Sequence, residues 1–163
     1  NLYFAEDGEA VCMAQVECRQ MMRAIARPGG RVGMHCSGVG KALLAWMPER
    51  EVGRILERHG LPHITEKTIQ TPKALREELE RTRTRGFAID DEEHAVGLRC
   101  VAAPIVDEHG ALLAGVSVSG PKARIPDHRL ALLGAMVAEA AREITAELGG
   151  GSTLPQAATR KVS

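Results

Sequence analysis

Alternating spacings and spacings of three or four residues divide this chain into strands and helices. Residues 2–5 and 10–16 (AVCMAQV) flank Glu6-Asp7-Gly8, the pattern of a hairpin. The apolar stretch from Met21 to Ala26 ends at Arg27-Pro28-Gly29-Gly30, a turn by its proline and glycines. Ser37-Gly38-Val39-Gly40 precedes the helical pattern Ala42, Leu43, Leu44 and Trp46, which makes Ser37 an N-cap. Pro48 opens a second helix, with Val52, Ile55 and Leu56 as its inward stripe, ending near His59-Gly60. Thr71-Pro72 caps a third helix that Gly86 stops. Its Ala74, Leu75 and Leu79 point inward, and Glu77, Glu78, Arg81 and Arg83 form a solvated face. Pro126-Asp127 begins a long last helix, with Leu133, Met136, Val137, Ala140, Ile144 and Leu148 three or four apart. Residues 151–163 carry no periodicity and several turn formers, so a disordered tail is expected there.

Between the third and last helices, Gly86 to Pro121 reads as an acidic loop feeding a hairpin with its turn at Asp107 to Gly110. If Val106 pairs with Ala111, Cys100 faces Ser117 and Leu98 faces Ser119. Alternation then puts Leu98, Cys100, Ser117 and Ser119 on one face, the two serines about 6.8 Å apart. Val101, Ala103, Ile105, Val116 and Val118 line the other face, expected to be core. Two hydroxyls and a thiol in an apolar hairpin form either a ligand-facing surface or a satisfied structural one. A one-residue bulge would flip one arm and undo the assignment. Pro104 donates no ladder bond, so its position must face an edge or a bulge.

Composition narrows the function classes. With 163 residues, 44% apolar and 26% charged, the chain fits one soluble domain. Its 21 basic and 21 acidic residues cancel, which argues against this chain gripping nucleic acid unaided. No signal-peptide pattern and no apolar run of about 18 residues appear, so a cytoplasmic location without a membrane partner is expected. Cys12, Cys18, Cys36 and Cys100 lack metal or redox spacing and read as reduced thiols. Aromatic content of 2% leaves few rings to stack on bases or a flat cofactor, and no cofactor is expected.

Glycines at the start of the Ser37 helix suit either close packing or an anion cradle, where free N–H groups and the helix dipole favour negative charge. A P-loop is excluded, because His35 and Ala42 stand where its first glycine and its Ser or Thr belong. Asp90, Glu92, Glu93 and His94 read as metal donors or as a solvated acidic run. Cys100 with His94 is the one nucleophile–base combination on offer, six residues apart, and an enzyme is not expected.

The stretch DDEEHAVGLRC over 90–100 resembles the IclR (isocitrate lyase regulator) family of bacterial transcription factors. So do HCSGVGKALLA over 35–45, the lead-in RGF at 85–87, and SVSGP over 117–121. The resemblance runs over residues 1–150. It implies an α+β effector-binding domain: a curved antiparallel sheet of about six strands flanked by helices, GAF- or profilin-like. The N-terminal winged helix-turn-helix that binds DNA in this family is absent from this chain. Homodimers or homotetramers are implied as well. The resemblance is closest to members that sense glyoxylate or pyruvate, whose pocket implies Gly38 and Val39 N–H groups, Asp90, Cys100, Ser117 and Ser119 as ligand contacts. Met21, Ala24 and Leu98 are then its apolar wall. Val39 stands where close relatives have alanine and is expected to narrow the cradle. Pro126 stands where a threonine cap is common, which is expected to loosen the last helix. Another small carboxylate, such as an aromatic acid, or a pure oligomerisation role are the alternatives.

Overall fold

Turn chemistry decides where the chain reverses. In the computed structural model, which describes residues 1–21, 24 and 26–150, β1 (Leu2–Glu6) and β2 (Glu9–Ala14) meet at Asp7 and Gly8. Both turn residues have positive φ, 52° and 82°, as a tight hairpin needs. Gly29 (φ 82°) follows Pro28 in a turn closed by Gly30 N–H to the Arg27 carbonyl at 2.7 Å, leading into β3 (Arg31–Gly33). Met22, Arg23 and Ile25 of the expected apolar stretch lie outside the described residues, as does the expected tail over 151–163.

The helices α1 (Gly38–Trp46), α2 (Glu49–His59) and α3 (Pro72–Arg85) begin and end at the residues that cap them. Ser37 Oγ accepts from Gly40 N–H at 3.1 Å, Thr71 Oγ1 from Ala74 N–H at 3.2 Å, and Gly86 stops α3 with φ 82°. Two residues of the expected solvated face of α3 are tied down instead. Arg83 Nε donates to the Ala45 carbonyl at 2.6 Å, and Glu78 is held by Arg81 and Arg85.

After β4 (Ala88–Asp91), strands β5 (Leu98–Val106) and β6 (Leu112–Pro121) form the long hairpin, and a 3-10 turn (Lys122–Arg124) leads to α4 (Asp127–Glu147). The six strands make one curled antiparallel sheet in the order β3-β2-β1-β6-β5-β4. The hairpin register differs from expectation by two. Cys100 faces Ser119 rather than Ser117, and Leu98 faces Pro121 rather than Ser119. The reason is local. Asp107 N–H bonds to the Ala111 carbonyl at 2.9 Å, closing a three-residue loop with Gly110 at φ 77°, and Leu113 then bulges out of the ladder. Each step shifts the pairing by one, so together they restore parity and the face assignment stands. Pro104 lies past the end of β4, whose first residue Ala88 pairs with Ala102, so β5 is an edge strand there.

Each face of the sheet has its own core. Leu43 and Leu44 of α1, Val52 of α2 and Leu75 and Leu79 of α3 pack on Tyr3, Ala10, Cys12, Ala88 and Ala102. On the other face Val137, Ala138 and Ala141 of α4 cover Val101, Ala103 and Ile105. Val118, expected in this core, is exposed, because α4 packs chiefly over β5. Gly134 and Thr145 complete the inward side of α4, so Met136, Ile144 and Leu148 of its apolar pattern face out together with Leu132. Pro126 gives α4 no side-chain cap. Buried Arg99 ties the start of the helix down from another side, donating to Asp127 Oδ1 at 2.6 Å, the Ile125 carbonyl at 2.8 Å and Asp91 Oδ1 at 2.5 Å.

Candidate functional site

Three neighbouring rungs of the sheet floor a cavity. The first runs Asp90–Cys100–Ser119, the second Ala88–Ala102–Ser117–Asn1, and the third Pro104–Gly115–Tyr3–Cys12. Helix α1 lies close over this floor because glycines permit it. A Cβ on Gly38 would stand 3.0 Å from Cys100 Sγ, and one on Gly40 would stand 2.3 Å from Met34 Cα. A Cβ on Gly115 would stand 2.9 Å from Val39 Cγ2, so that methyl packs down on β6. Val39 therefore spends part of its bulk on helix–sheet packing, and the expected narrowing of the cradle is correspondingly smaller. With Gly40 N–H taken by Ser37, the N–H groups of Gly38 and Val39 have no acceptor within the helix and stand at its positive end.

The cavity encloses about 290 Å³. Gly38, Val39, Asp90, Leu98, Cys100, Ser117, Ser119 and Ala24 all line it. Met21 does not. It is 99% exposed, and Ala26 and Val32 stand in the lining instead. Asn1, Tyr3, Cys12 and Arg27 also line the cavity without being expected there, as does His94, which the sequence offers only as a metal donor or a base. The first three arrive through the β1–β6 and β1–β2 pairings. The hairpin pattern did indicate β1–β2, but nothing local indicates that β1 lies beside β6.

Electrostatics separate the donors from the neutral groups. Asp90 is 1% exposed, and burial pushes its carboxyl up to about 6, against the pull of the Glu93 N–H, Lys41 and the His94 N–H. Both amides bond Oδ1, at 2.7 and 3.3 Å. Burial and then the Asp90 charge push the Cys100 thiol up to about 12, and burial pushes Cys36 up to about 11. His94, lowered by burial, lies with Nδ1 3.9 Å from Cys36 Sγ. These thiols are neutral, and neither is activated as a nucleophile.

The acidic run diverges. Glu92 pairs with Lys122 and Lys67, Glu93 pairs with buried Lys41 of α1, and Asp90 caps the loop. Among the described residues no three donors are grouped to hold a metal ion. Thr65 Oγ1 and Thr68 Oγ1 donate to the Glu92 and Glu93 carbonyls at 2.7 and 2.8 Å, clasping the loop.

The profile described as "Bacterial transcriptional regulator IclR C-terminal" matches residues 1–146. The chain is similar to the transcriptional repressor IclR of Escherichia coli K12, 49% identical over 144 residues, 88% of this chain and 53% of that one. It is also similar to the repressor AllR of the same strain, 39% identical over 149 residues, 91% of this chain and 55% of that one. The chain thus spans about half the length of these curated relatives. Among solved structures, Thermotoga maritima IclR superposes with a TM-score of 0.85 at 35% identity, covering 91% of this chain and 60% of that one.

Proposed function

The chain belongs to the IclR family of bacterial transcriptional regulators, and from that premise we propose that its cavity senses a small 2-oxo acid of the glyoxylate or pyruvate class. The observation that carries this is the set of donors around the cavity: the Gly38 and Val39 N–H groups at the helix start and the Ser117 and Ser119 hydroxyls on the sheet, with Arg27 and Arg31 also in the lining. A carboxylate between them is held by charge-assisted hydrogen bonds. Leu98 and Ala24 supply the apolar side, and Asp90 is the one carboxyl group of the lining. At about 290 Å³ the cavity is larger than a three-carbon acid, which leaves part of it to solvent.

In the longer protein, occupancy of this cavity alters DNA binding by the helix-turn-helix domain that the family carries. Self-association of the effector domains matches two-fold operator half-sites. Calorimetry with glyoxylate, pyruvate and 3-hydroxybenzoate on one preparation tests the ligand class. The two small acids are expected to bind more tightly, and the reverse order would overturn the proposal.

A further inference from the structure

The two serines do not stand alone on the floor of the cavity. Asn1 and Ser117 exchange both backbone hydrogen bonds, Asn1 N–H to the Ser117 carbonyl at 2.8 Å and Ser117 N–H to the Asn1 carbonyl at 2.9 Å. That pairing puts their side chains on the same face of the sheet. The Asn1 amide nitrogen, with two hydrogens, donates to Ser117 Oγ at 3.3 Å and to Ser119 Oγ at 3.1 Å. A hydroxyl has one hydrogen and two acceptor sites. Once an acceptor site is filled by Asn1, each serine hydrogen is turned away from the amide; that of Ser117 also has the Cys100 thiol within reach, and both hydroxyls border the cavity.

We propose that Asn1 is a positioning residue that sets both serine hydroxyls as donors, so that this end of the cavity selects an ionised carboxylate over its uncharged amide isostere. The inference rests on the effector reading given above and names what that reading leaves open, the source of the selectivity. With Gly38 and Val39 N–H opposite, four groups at this end donate. Asp90, the one acidic acceptor of the lining, sits on the rung beyond Cys100. A carboxylate offers acceptors alone and satisfies all four donors. A primary amide presents an NH₂ that meets donors and leaves buried groups unpaired.

The test measures pyruvate and pyruvamide binding by calorimetry on the 163-residue chain and on its Asn1→Asp and Asn1→Ala variants at pH 8. The unmodified chain is expected to prefer pyruvate by about a hundredfold or more. In Asn1→Asp the serines donate to the new carboxylate and present lone pairs to the cavity. Pyruvate should then weaken about a hundredfold while pyruvamide changes little, collapsing the ratio. Asn1→Ala frees both hydroxyls to rotate, and about a tenfold loss for pyruvate is expected. The backbone pairing of position 1 does not depend on its side chain, and thermal melts check that all three proteins fold alike. Pyruvate binding that ignores position 1, or an unchanged pyruvate-to-pyruvamide ratio in Asn1→Asp, would overturn this inference alone. No binding of pyruvate to the unmodified chain would overturn the effector reading with it.

Discussion

Ser117 and Asp90 occupy similar places on the cavity floor but respond differently to substitution. Ser117→Ala and Ser119→Ala each remove a bond to a charged ligand, worth about 1.5–3 kcal/mol, or roughly ten- to a hundredfold in affinity. The folding core lies in other side chains, so melting temperatures should barely move. Early melting with unchanged affinity would show the hydroxyls to be structural. Asp90 titrates near 6, above the ordinary carboxylate range, because burial outweighs its hydrogen bonds. The native state therefore holds this proton more tightly than the unfolded chain. The stabilisation from that proton is full below about 4 and is lost as pH rises through about 6. An anionic ligand alongside favours the protonated form, so pyruvate should bind more tightly as pH falls from 8 to 6, with uptake of up to one proton. Calorimetry in buffers of different ionisation enthalpy reads that uptake. Asp90→Asn, which keeps an acceptor for the Glu93 and His94 amides, should flatten the pH dependence. Affinity that is flat with pH in the unmodified chain would instead mean that Asp90 accepts a ligand hydroxyl as a carboxylate.

At the scale of elements, α1 is where sequence and packing are most tightly bound. Gly40→Ala pushes a methyl into the Met34 backbone, which has no free end to swing aside. It is expected to cost about 3 kcal/mol, the upper end for overpacking, and to abolish ligand binding by lifting the cradle. Gly53→Ala, in α2 with nothing within 4 Å of the new Cβ, should stabilise by about 0.5–1 kcal/mol and leave binding unchanged. Urea melts of the pair, read beside calorimetry, separate the two kinds of glycine. The caps and the glycines of α1 were legible because capping and close approach are written in neighbouring residues. Ser117, Ser119 and Cys100 were legible as one face because alternation needs only parity. Asn1 and Tyr3 were not, since their place depends on a pairing between strands more than a hundred residues apart in sequence. Met21 was misplaced for a related reason. An apolar residue type says nothing about whether its segment folds back over the cavity.

For the molecule as a whole, the distribution of apolar surface points outward as well as inward. Leu132 and Met136 are exposed on the side of α4 away from the sheet, and Ile144 and the C-cap Leu148 extend this apolar surface round the flank towards the helix end. An unpartnered surface of this kind suits contact with a second copy. Light scattering is expected to show a dimer or tetramer, and Met136→Glu should shift it towards monomer without lowering the melting temperature. A monomeric unmodified chain at high concentration would refute this. With charge balanced at 21 basic and 21 acidic residues, the chain alone should bind DNA negligibly at physiological salt. A mobility shift at submicromolar chain concentration would contradict that. Among the described residues no helix is long and apolar enough to cross a membrane.

The bulge at Leu113 has a consequence for chain length. The hairpin behaves like a reading frame with a period of two: the Gly110 loop and the Leu113 bulge each shift it by one, and together they bring it back. Deleting Leu113 alone removes the bulge and leaves Ser117 opposite Ala102 and Ser119 opposite Cys100, so both serines should stay on the cavity face. Drawing Leu113 into the ladder opposite Ile105 without a deletion would instead put Ser117 opposite Val101 and throw both serines to the α4 side. Length variation at this tip is therefore tolerated as long as Ala114 keeps its pairing with Ile105.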